Sequence, residues 1–132
     1  MTAEAFATQI LNGLTIGAIL MLIAMGLTLI FGLMGVVNFA HGSLYMLGAY
    51  LGLEVVNATG QFWIALIAAP VGVGVFGYLL ERTAIRSLYG RDPLLHVLLT
   101  FGVAVVVSEV VEMIWGPRIQ PLAPPAALSG SV

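Results

Sequence analysis

The chain has 132 residues, 61% of them hydrophobic and 8% charged, with a formal net charge of −2. Soluble domains carry about 25% charged residues to cover a water-facing surface, so this composition excludes a soluble globular domain and describes an integral membrane protein. It offers no basic patch for nucleic acid, and with no cysteine it excludes disulfides, Cys-ligated zinc and thiol catalysis.

The stretch from Ala5 to Leu53 holds no Asp, Glu, Lys or Arg. As one helix it would be about twice as long as a bilayer core is thick. It is therefore expected to cross twice, reversing near Gly35-Val36-Val37-Asn38. The first span is predicted over residues 10–31. Glu4 stands where a signal peptide would carry positive charge, so this span is expected to remain in the mature protein. Gly13 and Gly17 form a G-x-x-x-G pair, which lets a second helix approach closely.

The second span is predicted over residues 38–55, with Asn38 as N-cap. Gly48 and Gly52 make another G-x-x-x-G pair on one face. Glu54, Asn57, Thr59, Gly60 and Gln61 read as the loop back to water. The third span is predicted over residues 62–80, with Trp63 at its interfacial edge and Pro70 inside it.

Glu81-Arg82-Thr83-Ala84-Ile85-Arg86-Ser87-Leu88-Tyr89-Gly90-Arg91-Asp92-Pro93 is the one strongly polar segment. The positive-inside rule makes it cytoplasmic, and its spacing suits a short interfacial helix. Asp92 is positioned to cap the fourth span, predicted over residues 94–115, with Pro93 at its first position. Glu109 and Glu112 share a face near its outer end, and Trp115 anchors that interface. The fold class expected is all-α: a polytopic transmembrane bundle of four helices. Counting back from the arginine loop puts the N-terminus outside.

Asn38, His41 and Tyr45 fall at i, i+3 and i+7, one helical face if the helix begins at Asn38. Polar groups at membrane depth usually face a bundle interior or a wet cavity. With Gly42 and Ser43 they are candidates for lining a solute path, near a helix N-terminus that favours a carboxylate. The alternative is that Asn38 caps, His41 bonds a neighbouring backbone and Tyr45 packs. Ser43 and His41, two apart, point to different faces and make no nucleophile–base pair. No metal cluster is apparent, and a chain without lysine has no phosphate-binding G-x-x-x-x-G-K-[ST] loop.

The run Gly26-Leu27-Thr28-Leu29-Ile30-Phe31-Gly32-Leu33-Met34-Gly35-Val36-Val37-Asn38-Phe39-Ala40-His41-Gly42-Ser43-Leu44-Tyr45 resembles the signature of branched-chain amino acid ABC transporter permeases of the LivH type. So do Leu11-Asn12-Gly13-Leu14-Thr15-Ile16-Gly17-Ala18 and the arginine segment from Glu81 through Pro93-Leu94-Leu95 to Leu99-Thr100-Phe101-Gly102. Trp115-Gly116 and Leu128-Ser129-Gly130 fit as well. The resemblance implies an inner-membrane subunit that passes hydrophobic amino acids inward and needs no cofactor of its own. It implies as partners a second permease subunit of the LivM type, two ATPase subunits that hydrolyse ATP, and a periplasmic binding protein. Family members are about twice this length, so the chain reads as the N-terminal part of a permease. Many relatives carry an acidic residue where this chain has Ser43. Close relatives import urea or short-chain amides, which the motif does not separate. The rival expectation is a small multi-spanning membrane protein with a structural or assembly role.

Overall fold

The computed structural model describes residues 3–118 and 120–122. It is all-α: α1 Ala3–Met34, α2 His41–Thr59, α3 Phe62–Thr83, a 3-10 turn Ile85–Leu88, and α4 Pro93–Trp115. Three stretches are long and apolar enough to cross a membrane, Glu4–Met34, Phe62–Leu88 and Pro93–Trp115. The chain forms two units, residues 1–38 and 39–132.

The first unit is α1 and the segment after it. The helix starts earlier and ends later than the predicted 10–31. Its threonines explain why polar residues do not stop it: Thr8, Thr15 and Thr28 each donate to the carbonyl four residues back, at 2.9, 2.9 and 2.8 Å. A hydroxyl satisfied inside its own helix does not demand water. Apolar side chains cover α1 on every side, with Leu14, Leu22 and Leu33 at 70%, 70% and 84% exposure, the pattern of a helix surrounded by lipid or protein. Gly35 ends it at φ 64, and its N–H donates to Phe31 O at 2.8 Å. That left-handed cap suits glycine, which has no Cβ to clash.

Residues 36–38 are not helical, and a turn at 39–40 leads into α2. Asn38 is therefore not the N-cap of the second helix, as its residue type suggested. The cap position is Ala40, with no side-chain cap bond. Leu44 N–H donates to Ala40 O at 2.9 Å, and Ala40, fully buried, leaves no room for a larger capping side chain. At its other end α2 runs into the predicted loop, leaving Gly60 and Gln61 as the connection. Glu54, Asn57 and Thr59 are helical, because the stop is set by Gly60 at φ 68, whose N–H donates to Val56 O at 2.7 Å.

In the second unit α2 packs against both α3 and α4. Glycines permit the first contact: a Cβ on Gly48 would stand 3.3 Å from Val73 Cγ2, and one on Gly52 3.6 Å from Ala69 Cβ. From the other side, a Cβ on Gly72 would stand 3.2 Å from Leu51 Cδ1. α3 continues through Pro70 to Thr83, so the short helix expected across 81–86 is instead the last turn of α3 and the 3-10 turn that buries Ile85. Asp92 caps α4, accepting from Leu94 N–H at 2.9 Å, with Pro93 next to it. The core is small: Ala40, Leu53, Ala65, Ile85, Val107 and Val111, with His96 and Thr100 as its buried polar members.

Candidate functional site

α2 is fastened to α4 by a seam of short polar side chains. The Phe39 backbone N–H donates to Thr100 Oγ1 at 3.2 Å, and Thr100 donates to His96 O at 2.8 Å. One turn further along, Ser43 Oγ donates to Ala104 O at 3.1 Å and lies 3.4 Å from Ser108 Oγ. His96, Thr100, Ala104 and Ser108 recur every fourth residue, so they form one stripe on α4. That spacing was the available signal for the seam, but small residues on an apolar helix are easily taken for filler. At the far end Trp115 Nε1 donates to Glu54 Oε2 at 3.2 Å, and its ring lies 5.2 Å from that of Tyr50.

The five residues singled out as a solute path therefore separate. Asn38 lies in the non-helical stretch and is half-buried. His41 opens α2, half-buried, while Gly42 faces open space, with nothing within 4 Å of an added Cβ. Ser43 belongs to the α4 seam. Tyr45 points to the other side, onto a cavity of about 440 Å³ between α2 and α3. Tyr45, Ala49 and Gly52, at i, i+4 and i+7, form one stripe on that wall, and Ala65, Ala69 and Pro70 face them. Asn38 is not on this stripe because the helix has not yet begun. The lining is aliphatic apart from the aromatic groups of Tyr45 and Phe62. A space of this kind can hold an apolar side chain without desolvating a charge.

His96 is buried at 4% exposure, and both ring nitrogens lack a hydrogen-bond partner among the described residues. Its ring stacks on Tyr89 at 6.3 Å and 20°. Tyr89 lies outside the spans and donates its hydroxyl to Glu81 Oε1 at 3.1 Å. Partial burial pushes the Tyr89 pKa up, the bond to Glu81 and its charge push it further, and Arg86 opposes them. Arg82, Arg86, Arg91 and Asp92 are all exposed. On α1 nothing stands within 4 Å of an added Cβ at Gly13 or Gly17. Glu109 and Glu112 are exposed, and no group of three metal-ligating side chains occurs among the described residues.

An all-α chain with three helical stretches long and apolar enough to cross a membrane has the architecture of a polytopic membrane protein. More particularly, it belongs to the family described as the permease component of the branched-chain amino acid transport system, which it matches over residues 9–131. It is 31% identical over 117 residues to the high-affinity branched-chain amino acid transport system permease protein BraD of Pseudomonas aeruginosa, covering 82% of this chain and 38% of BraD. It is 32% identical over 122 residues to the corresponding permease protein LivH of Escherichia coli, covering 86% of this chain and 40% of LivH. The chain thus spans about two fifths of the length of the curated relatives it matches. These relatives are permease subunits, not enzymes. No solved structure matches the chain. The Leu128-Ser129-Gly130 part of the resemblance lies outside the described residues.

Proposed function

We propose that the chain is the N-terminal part of an inner-membrane permease subunit of an importer for branched-chain amino acids. Its partners are a second permease subunit of the LivM type, two ATPase subunits that hydrolyse ATP, and a periplasmic binding protein. The N-terminus faces the periplasm, and α2 also crosses, as the second of four spans. That α2 is less apolar than its neighbours fits such a role, because His41, Ser43, Tyr45 and Glu54 suit a helix bordered by protein and water.

The observation that carries the reading is the Tyr45 cavity, seen in a chain that belongs to this family. Its walls suit an aliphatic side chain better than urea or a short amide, whose polar atoms would go unsatisfied there. Asn38 and His41 border the entry to α2 and serve the polar end of the solute. The small residues on the α2–α3 contact let the two helices shift as the partners hydrolyse ATP.

The test is uptake of leucine, urea and a short amide by the reconstituted full-length complex. Asn38→Leu and His41→Leu are expected to lower leucine uptake while expression and assembly stay normal. Tyr45→Ala is expected to raise KM more than it lowers kcat. Unchanged leucine kinetics in all three variants would overturn the reading, and preferential uptake of urea would overturn the substrate assignment.

A further inference from the structure

Among the described residues, the cavity beside Tyr45 takes one lining side chain from outside α2 and α3: Leu122, on the segment that follows α4. Gly116 ends α4 at φ 80, a backbone angle that glycine adopts without strain, and its N–H donates to Glu112 O at 2.8 Å. Beyond it Gln120 Nε2 donates back to Trp115 O at 3.2 Å. The chain thereby returns Leu122 to the half of α2 that ends at Thr59, away from the arginine connection.

Leu122 also borders a second space, of about 380 Å³, completed by Ala49, Tyr50, Leu53 and Gln120. The Tyr45 cavity lies on the α3 side of α2. The second space lies toward α4, since Tyr50 rests against Trp115. Ala49, Leu53 and Leu122 line both spaces, so these three side chains stand on the boundary. Ala49 and Leu53 belong to α2, which is packed against both α3 and α4. Leu122 belongs to a connection whose Gln120 bond is exposed, so water competes for it. It also keeps 43% of its surface exposed. Of the three boundary residues, Leu122 is the one that can leave without breaking a helix–helix contact.

We infer that Leu122 is the gate of the Tyr45 cavity, a side chain of the protein that holds the place the solute's side chain takes. The part of this that names the solute rests on the proposed function. A branched aliphatic solute that displaces Leu122 restores the apolar contacts that opening breaks, so the exchange is near neutral in burial. Urea or a short amide restores few of them and leaves its own polar atoms unsatisfied. Gate and walls thus select the same chemistry. In the orientation proposed above Leu122 lies toward the periplasm, the side from which an importer receives its solute.

The test reads access and uptake separately in the full-length complex. Ala65 lines the cavity and is buried at 5% exposure, so a cysteine there is reached through the cavity. Ala65→Cys, in an otherwise cysteine-free background, is labelled from the periplasmic side with a membrane-impermeant methanethiosulfonate. L122A is expected to speed labelling about fivefold, since leucine buries more than half of its surface here and alanine gives most of that up. L122M, of similar volume, is expected to keep the parent rate. Equal rates in L122A and parent would overturn the inference. So would an absence of labelling in both, which would mean that no water path reaches the cavity from that side. Labelling that depends on residue 122 in a complex that takes up no leucine would overturn the proposed function and leave the gate standing.

Discussion

The Phe39 backbone N–H and the Thr100 hydroxyl meet at 3.2 Å, so the turn that starts α2 is held by a side chain 61 residues away. Thr100 is 1% exposed, and its hydroxyl donates a hydrogen bond to His96 O. Thr100→Val keeps the volume but leaves the Phe39 donor without this acceptor. A loss of about 1–2 kcal/mol is expected, with Thr100→Ser losing much less. Thermal unfolding of the two variants in detergent checks this, and equal melting temperatures would count against it.

The α2–α3 contact should be intolerant of size in a position-specific way. A Cβ at Gly72 or Gly48 already comes within 3.2 or 3.3 Å of a neighbour, so Gly72→Leu and Gly48→Leu are expected to cost about 1–3 kcal/mol by overpacking. Gly74→Ala meets nothing within 4 Å and should be neutral or slightly stabilising, since alanine is the better helix former. Melting temperatures of the three variants rank the positions directly.

Trp115 and Glu54 close the opposite end of the α2–α4 contact. The bond is exposed, so water competes for both partners, and about 0.5–1 kcal/mol is the expected coupling. A double-mutant cycle with Trp115→Phe and Glu54→Ala measures it. Phenylalanine retains the ring that lies against Tyr50, so the cycle isolates the indole N–H.

Alkaline pH should loosen the arginine connection. The folded-state pKa of Tyr89 is raised above its ordinary value of 10.0. A group of this kind contributes stability that is fully present below the unfolded pKa and lost as pH rises through the folded one. The Tyr89–Glu81 contribution should therefore be whole at pH 8, begin to fall near pH 10 and be lost as pH rises through the raised folded value. Melting temperatures of Tyr89→Phe and parent, compared from pH 8 to 11, should converge at the alkaline end. A gap that widens with pH would contradict the assignment.

The parts of this protein legible in its sequence are those decided within a few residues. Charge-free runs had to be apolar helices, since lipid leaves backbone groups no other partner. Asp92-Pro93 starts α4 through a bond to Leu94, two residues on. The family resemblance was legible for a related reason, being carried by contiguous motifs.

Only the tertiary structure decided where the polar turn ends and what its residues touch. Asn38 has the chemistry of a cap, but Ala40 occupies that position, buried completely. Ser43 sits in the same short motif as Tyr45, yet it bonds to Ala104 while Tyr45 faces the α3 cavity. A helix turns about 100° per residue, so neighbours in sequence point to different partners. Which partner each meets depends on helices whose positions are set by long-range packing.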